Sequence, residues 1–124
     1  MSKKFSIRTD SITVEAELID SKTSSVIWES LPLKGTVNTW GLEIYFSIPV
    51  TTELENGQEV VSAGDIAYWP PGKAFCIFFG PTPASQGNEI RAASKVNVFG
   101  KLAGDPDILR QVKGGEKIVI EKSP

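Results

Sequence analysis

The 124 residues, 40% apolar and 23% charged, give room for one domain, residues 1–124, around one core. Thirteen Lys and Arg against fifteen Asp and Glu leave a formal charge of -2, so no broad positive field draws a phosphate backbone, and nucleic acid is not an expected partner. Histidine is absent and Cys76 is the only cysteine, which excludes Ser-His-Asp and Cys-His catalysis, an internal disulfide and a Cys/His zinc site.

Phe5 and Ile7, then Ile12, Val14, Ala16 and Leu18, alternate with polar residues around Thr9-Asp10-Ser11, the pattern of a β-hairpin. Val26, Ile27 and Leu31 follow at helical spacing, between Asp20-Ser21-Lys22-Thr23 and Pro32, and predict one short helix. Thr36 to Trp40 and Leu42 to Ile48 read as extended. In the second, Leu42, Ile44, Phe46 and Ile48 form the core face, so Glu43, Tyr45 and Ser47 point outward. Asn56-Gly57 supplies the positive backbone angles of a hairpin loop over Glu53 to Gly57, ahead of a strand at Glu59-Val60-Val61.

Asp65 to Trp69 reads as a strand whose alternation sends Tyr68 and Trp69 to opposite sides. Beyond the Pro70-Pro71-Gly72 corner, Ala74 to Phe79 is apolar enough for a central barrel strand. Gly80 to Asn88 is a loop by composition. Val96, Val98, Phe99 and Leu102 mark another strand. Asp105-Pro106 starts a second helix, with Asp105 as N-cap, and Gly114-Gly115 ends it before a last strand, Lys117 to Lys122. Many short strands with one early and one late helix predict a mainly β fold, a closed antiparallel barrel with two short capping helices.

The stretch Val98-Phe99-Gly100-Lys101-Leu102-Ala103-Gly104-Asp105 and the ending Glu116 to Ile120 resemble the cyclophilin family. Three more stretches, Trp40-Gly41-Leu42-Glu43-Ile44-Tyr45-Phe46, Gly64-Asp65-Ile66-Ala67-Tyr68-Trp69 and Phe78-Phe79-Gly80-Pro81-Thr82-Pro83, resemble a small prokaryotic cyclophilin-like group over nearly the full length. The resemblance implies eight strands closed by two helices, with a binding cleft on the outer surface of the strand that follows Trp40. It does not bring the isomerase machinery. The cyclophilin arginine would fall at Tyr45-Phe46-Ser47, where there is none, and the histidine before Phe99-Gly100 is replaced near Val96. Arg91, in or beside the loop, reads as a solvated charge.

On that outer face Trp40, Glu43 and Tyr45 set a carboxylate beside a phenol and an indole. Tyr68 or Trp69, with Phe79, adds aromatic walls, and Thr82 offers a hydroxyl at the rim. Such a site suits a cationic or amphipathic ligand. The plainer readings are a solvated sheet face for Glu43 and Tyr45, core packing for the rings, and a rigid corner for Thr82 between its prolines. If rings desolvate Glu43 its pKa rises, and it can then work as an acid or base. Asp65 reads as a turn residue, and Cys76, without a basic neighbour, as inert packing.

The expected function is binding of a small molecule or short peptide on the outer aromatic face, with no metal and no cofactor. The alternatives are prolyl isomerisation by an altered residue set, and a non-catalytic module that meets a protein partner or a second copy of itself. The apolar runs fall far short of the roughly 20 residues that span a bilayer, and no apolar signal segment follows Met1, so a cytoplasmic protein without a membrane partner is expected.

Overall fold

A computed structural model describes residues 3–124. The chain opens with the hairpin read from its alternation, β1 (Lys4–Thr9) and β2 (Thr13–Leu18). Helix α1 (Lys22–Ser30) follows. The Ser21 hydroxyl caps it by accepting from the Ser24 amide at 3.0 Å, and Ile27 is its buried anchor. Then come β3 (Leu33–Thr36), β4 (Asn38–Thr39), β5 (Glu43–Ser47), β6 (Gln58–Val61), β7 (Asp65–Trp69), β8 (Ala74–Phe78), the long β9 (Ile90–Leu102) and β10 (Lys117–Lys122). A 3-10 turn, Pro70–Gly72, makes the corner between β7 and β8.

The late helix, Pro106–Gln111, has the Asp105 cap that the sequence predicts, with Asp105 accepting from the Asp107 amide at 3.0 Å, but it is 3-10 rather than α. The six residues Pro106–Gln111, ahead of the Gly114-Gly115 exit, are too few to recover the cost of a longer helix. Among the described residues, no helix is long and apolar enough to cross a membrane.

Every ladder is antiparallel, and the strands follow the order β3-β10-β1-β2-β9-β7-β8-β5-β4, with β6 paired to the first half of β9. The mainly β fold with an early and a late helix stands, but a closed barrel of eight strands is not confirmed: among the described residues ten strands form, and hydrogen bonds do not close the path. Its end strands, β3 and β4, are consecutive in the chain and flank Val37, which still bonds toward the β10 side through the Glu116 carbonyl at 2.8 Å and the Gly115 amide at 2.9 Å. One continuous stretch of chain therefore serves β10 with its first half and β5 with its second.

The loop at Glu53 to Gly57 also departs from expectation. Asn56 has the predicted positive φ of 51°, yet β6 pairs with β9, not β5. Longer-range bonds decide this. The Glu55 carboxylate accepts from the Lys22 amide at 3.0 Å and from the Thr23 amide and hydroxyl at 2.8 and 2.7 Å, all at the start of α1. From β9, Asn97 accepts from the Glu55 amide at 2.7 Å and donates to the Glu53 carbonyl at 2.8 Å.

The interior core gathers on Phe75, whose ring centroid lies 5.3 Å from Phe46, 5.4 Å from Phe99 and 6.4 Å from Phe5. A second, smaller apolar cluster lies on the opposite face of the β5-β8-β7-β9 sheet and includes Ala67, Cys76, Phe78, Ala92 and Val96. β9 makes both clusters from one strand. Its second half pairs with β7 and β2, while its first half pairs with β6.

Candidate functional site

Strand alternation puts the two clusters on the same backbone. Ile44 and Phe46 of β5 enter the interior, so Glu43 and Tyr45 emerge on the outer face. In β8, Phe75 and Ile77 go inward while Cys76 and Phe78 go outward, and the register sets Glu43 opposite Phe78 and Tyr45 opposite Cys76. Trp69 of β7, one step past the inward Tyr68, joins them. Between these side chains and Ala92, Ala93 and Val96 of β9 lies a hollow of about 260 Å³, with Trp40 at the β4–β5 turn as a further wall.

Local contacts hold the walls in place. The Trp69 indole N–H donates to the Ser94 hydroxyl at 2.7 Å, which ties β7 to β9 across the hollow. A Cβ on Gly72 would come within 2.8 Å of that indole, so the glycine makes room for it. Trp40 is carried on a tight turn at Gly41, φ +60°, pressed against the Pro81-Thr82-Pro83 corner. The Leu42 amide donates to the Pro81 carbonyl at 3.0 Å, and the Phe79 amide to the Leu42 carbonyl at 3.0 Å. The three stretches that carry the sequence resemblance thus meet around one hollow.

Glu43 is only 6% exposed, and among the described residues it enters no ion pair. Burial raises its pKa from 4.5 to about 7, against a smaller opposing pull from a hydrogen bond with the Cys76 thiol. Burial likewise pushes the Cys76 thiol well up, and the charge of Glu43 pushes it further, so this sulfur is no nucleophile. Arg91, next to Ala92, is committed elsewhere, to Glu89 at 2.6 Å and Glu59 at 3.2 Å. Chemically the hollow offers a proton-exchanging acid, a thiol, a phenol and two indole rings. Among the described residues, no three His, Cys, Asp or Glu side chains gather as a metal-binding group.

Of the residues singled out from the sequence, Trp40, Glu43, Tyr45 and Trp69 come together here. Tyr68, Phe79 and Thr82 do not, and each has another task. Tyr68 is 0% exposed inside the main core, where its hydroxyl donates to the Val50 carbonyl at 2.6 Å. Phe79 packs in the same interior, and its neighbour Phe78 is the ring that faces the hollow. Thr82 is buried, with its hydroxyl bonded to the Arg91 carbonyl, so it fastens the loop to β9 as the rigid-corner reading has it. Asp65 serves its turn by accepting from the Ser62 amide at 2.8 Å. Sequence reasoning missed Cys76, Phe78, Ala92, Ala93 and Val96 as lining residues. The one local signal was Ala92-Ala93, two small side chains in a strand, where packing ordinarily favours bulk.

Among curated proteins none matches the chain. A solved solution structure, that of a hypothetical protein from Archaeoglobus fulgidus, is similar with 43% identity and a TM-score of 0.83, over 98% of this chain and 95% of that one. The family described as Cyclophilin-like matches residues 3–121. With the match spanning nearly all of its strands, the chain belongs to the Cyclophilin-like family.

Proposed function

We propose that the protein binds a small molecule, or a side chain of a short peptide, in the outer-face hollow, with Glu43 and Tyr45 as polar contacts and Trp40 and Trp69 as walls. The observation that carries this reading is the buried Glu43 carboxyl, which faces an aromatic hollow without a cationic partner among the described residues. Burying an ionisable acid costs stability, and interior packing does not need one here, because alternation sends the side chain away from the main core. A ligand that meets the carboxyl explains why an acid stands there.

Titration of isotope-labelled protein with a library of small aromatic and amine fragments tests the reading. Amide shifts confined to Glu43, Tyr45, Cys76, Phe78 and Ala92 to Val96 support it, and Trp69→Ala should weaken them. Shifts centred elsewhere, or none at millimolar fragment, sink it.

Prolyl isomerisation is the weaker alternative, since neither arginine nor histidine lines the hollow. Acceleration of proline-peptide isomerisation by the protein, abolished by Trp69→Ala, would reinstate it. A protein partner or second copy seated on this face would instead show up as a larger species on gel filtration or in a pull-down.

A further inference from the structure

We propose that the ligand of the hollow is a compact organic cation, an ammonium group on a flat or apolar body, whose charge pairs with Glu43 while the aromatic walls hold the body. This rests on the binding reading above and adds the ligand's charge and size.

The sign of the charge follows from an inventory of the walls. From β5 itself come Glu43 and Tyr45, and from β8 the Cys76 thiol. β7 contributes Trp69, and β9 contributes Ala92, Ala93 and Val96, none of which titrates. No lysine or arginine lines the space, and the nearby Arg91 is already bound between Glu89 and Glu59. The Trp69 N–H is occupied by the Ser94 hydroxyl at 2.7 Å. An anion entering here would meet an acid and, among the described residues, no positive charge. A cation would meet a carboxylate and aromatic rings, the two groups that stabilise it best in a desolvated site. A hollow of about 260 Å³ limits the guest to roughly one ring with a short side chain.

Pairing requires the ionised acid, so binding is coupled to proton release. With a pKa of about 7, Glu43 is about 10% ionised at pH 6 and about 90% at pH 8. Apparent affinity for an ammonium scales with that fraction and should rise about ninefold between the two.

Three single-ring probes of similar size, benzylamine, benzyl alcohol and benzoate, test this on the full chain by calorimetry, with amide shifts to place them. At pH 8 benzylamine should bind about tenfold or more tighter than the alcohol, with benzoate weakest. Only benzylamine should lose affinity, about ninefold, at pH 6. Glu43→Gln should remove the preference for the amine while the alcohol still binds, and the pH series on the unaltered chain decides the matter should that variant not fold. Equal or tighter binding of the alcohol or benzoate at pH 8 overturns the cation and leaves the site standing. No shift at the hollow with any of the three probes overturns both.

Discussion

The interior cluster and the outer-face cluster share four strands, β5, β7, β8 and β9, and along these they differ in the volume of the residues that alternation sends each way. Inward go Phe46, Ile66, Tyr68, Phe75, Ile77 and Phe99, which fill their space. Outward go Ala67, Ala74, Cys76, Ala92 and Val96, and among the described residues Phe78 is the only aromatic ring fully buried there. The interior's phenol is satisfied by a backbone carbonyl, whereas the outer face keeps an acid beside a void. One sheet can thus fill one face and leave open space on the other through the sizes of the side chains that alternate along its strands.

Replacing one phenylalanine on each face breaks that comparison most directly. Phe75→Ala empties the centre of the aromatic cluster and should cost about 3–5 kcal/mol in denaturant unfolding. Phe78→Ala should cost less, about 2 kcal/mol, because it enlarges an existing hollow rather than leaving a sealed cavity. Equal losses would mean that the outer cluster is as closed as the interior.

Glu43 sharpens the contrast through pH. Its folded pKa of about 7 lies above the ordinary 4.5, so as pH rises the unfolded chain gives up its proton first. Stability should therefore decline from about pH 4.5 upward and level off above about pH 7, by about 3 kcal/mol in all, while Glu43→Gln should lack that decline. Urea midpoints at pH 5 and pH 8 read it out.

At the turn that carries Trp40, Gly41→Ala meets both a positive φ of 60° and the Thr82 backbone 2.8 Å from the new Cβ. A loss of about 1–3 kcal/mol should appear in unfolding, together with a changed tryptophan emission. The smallest effect belongs to Glu55, whose pKa is lowered by its hydrogen bonds to Thr23 and Lys22. The stability it lends is present above the ordinary carboxylate range and lost as pH falls through its folded pKa, so Glu55→Gln should make thermal acid destabilisation shallower.

Where one face of a strand is polar, the sequence was readable. Glu43 and Tyr45 alternate with Ile44 and Phe46, and the structure sends them to opposite faces. The run Ala74 to Phe79 is apolar throughout, so nothing in its polarity distinguishes Phe78, which lines the hollow, from Phe79, which packs inside. Tyr68 depends on the carbonyl of Val50, eighteen residues away, and no local pattern reports such a bond. Thr82 and Asn97 are likewise placed by partners distant in the chain. The division at Val37 is not legible in the sequence, because one extended run changes partner there without any break in its composition.

That change of partner has a mechanical side. An ordinary sheet edge frays strand by strand, but here the two outermost ladders share a single peptide backbone, so pulling on one drags the other. Val37 is the joint between the two, bonded to Glu116 and Gly115 on the β10 side, and Trp40 sits only three residues along the same run, so the wall of the hollow and the far end of the sheet hang on one short piece of chain.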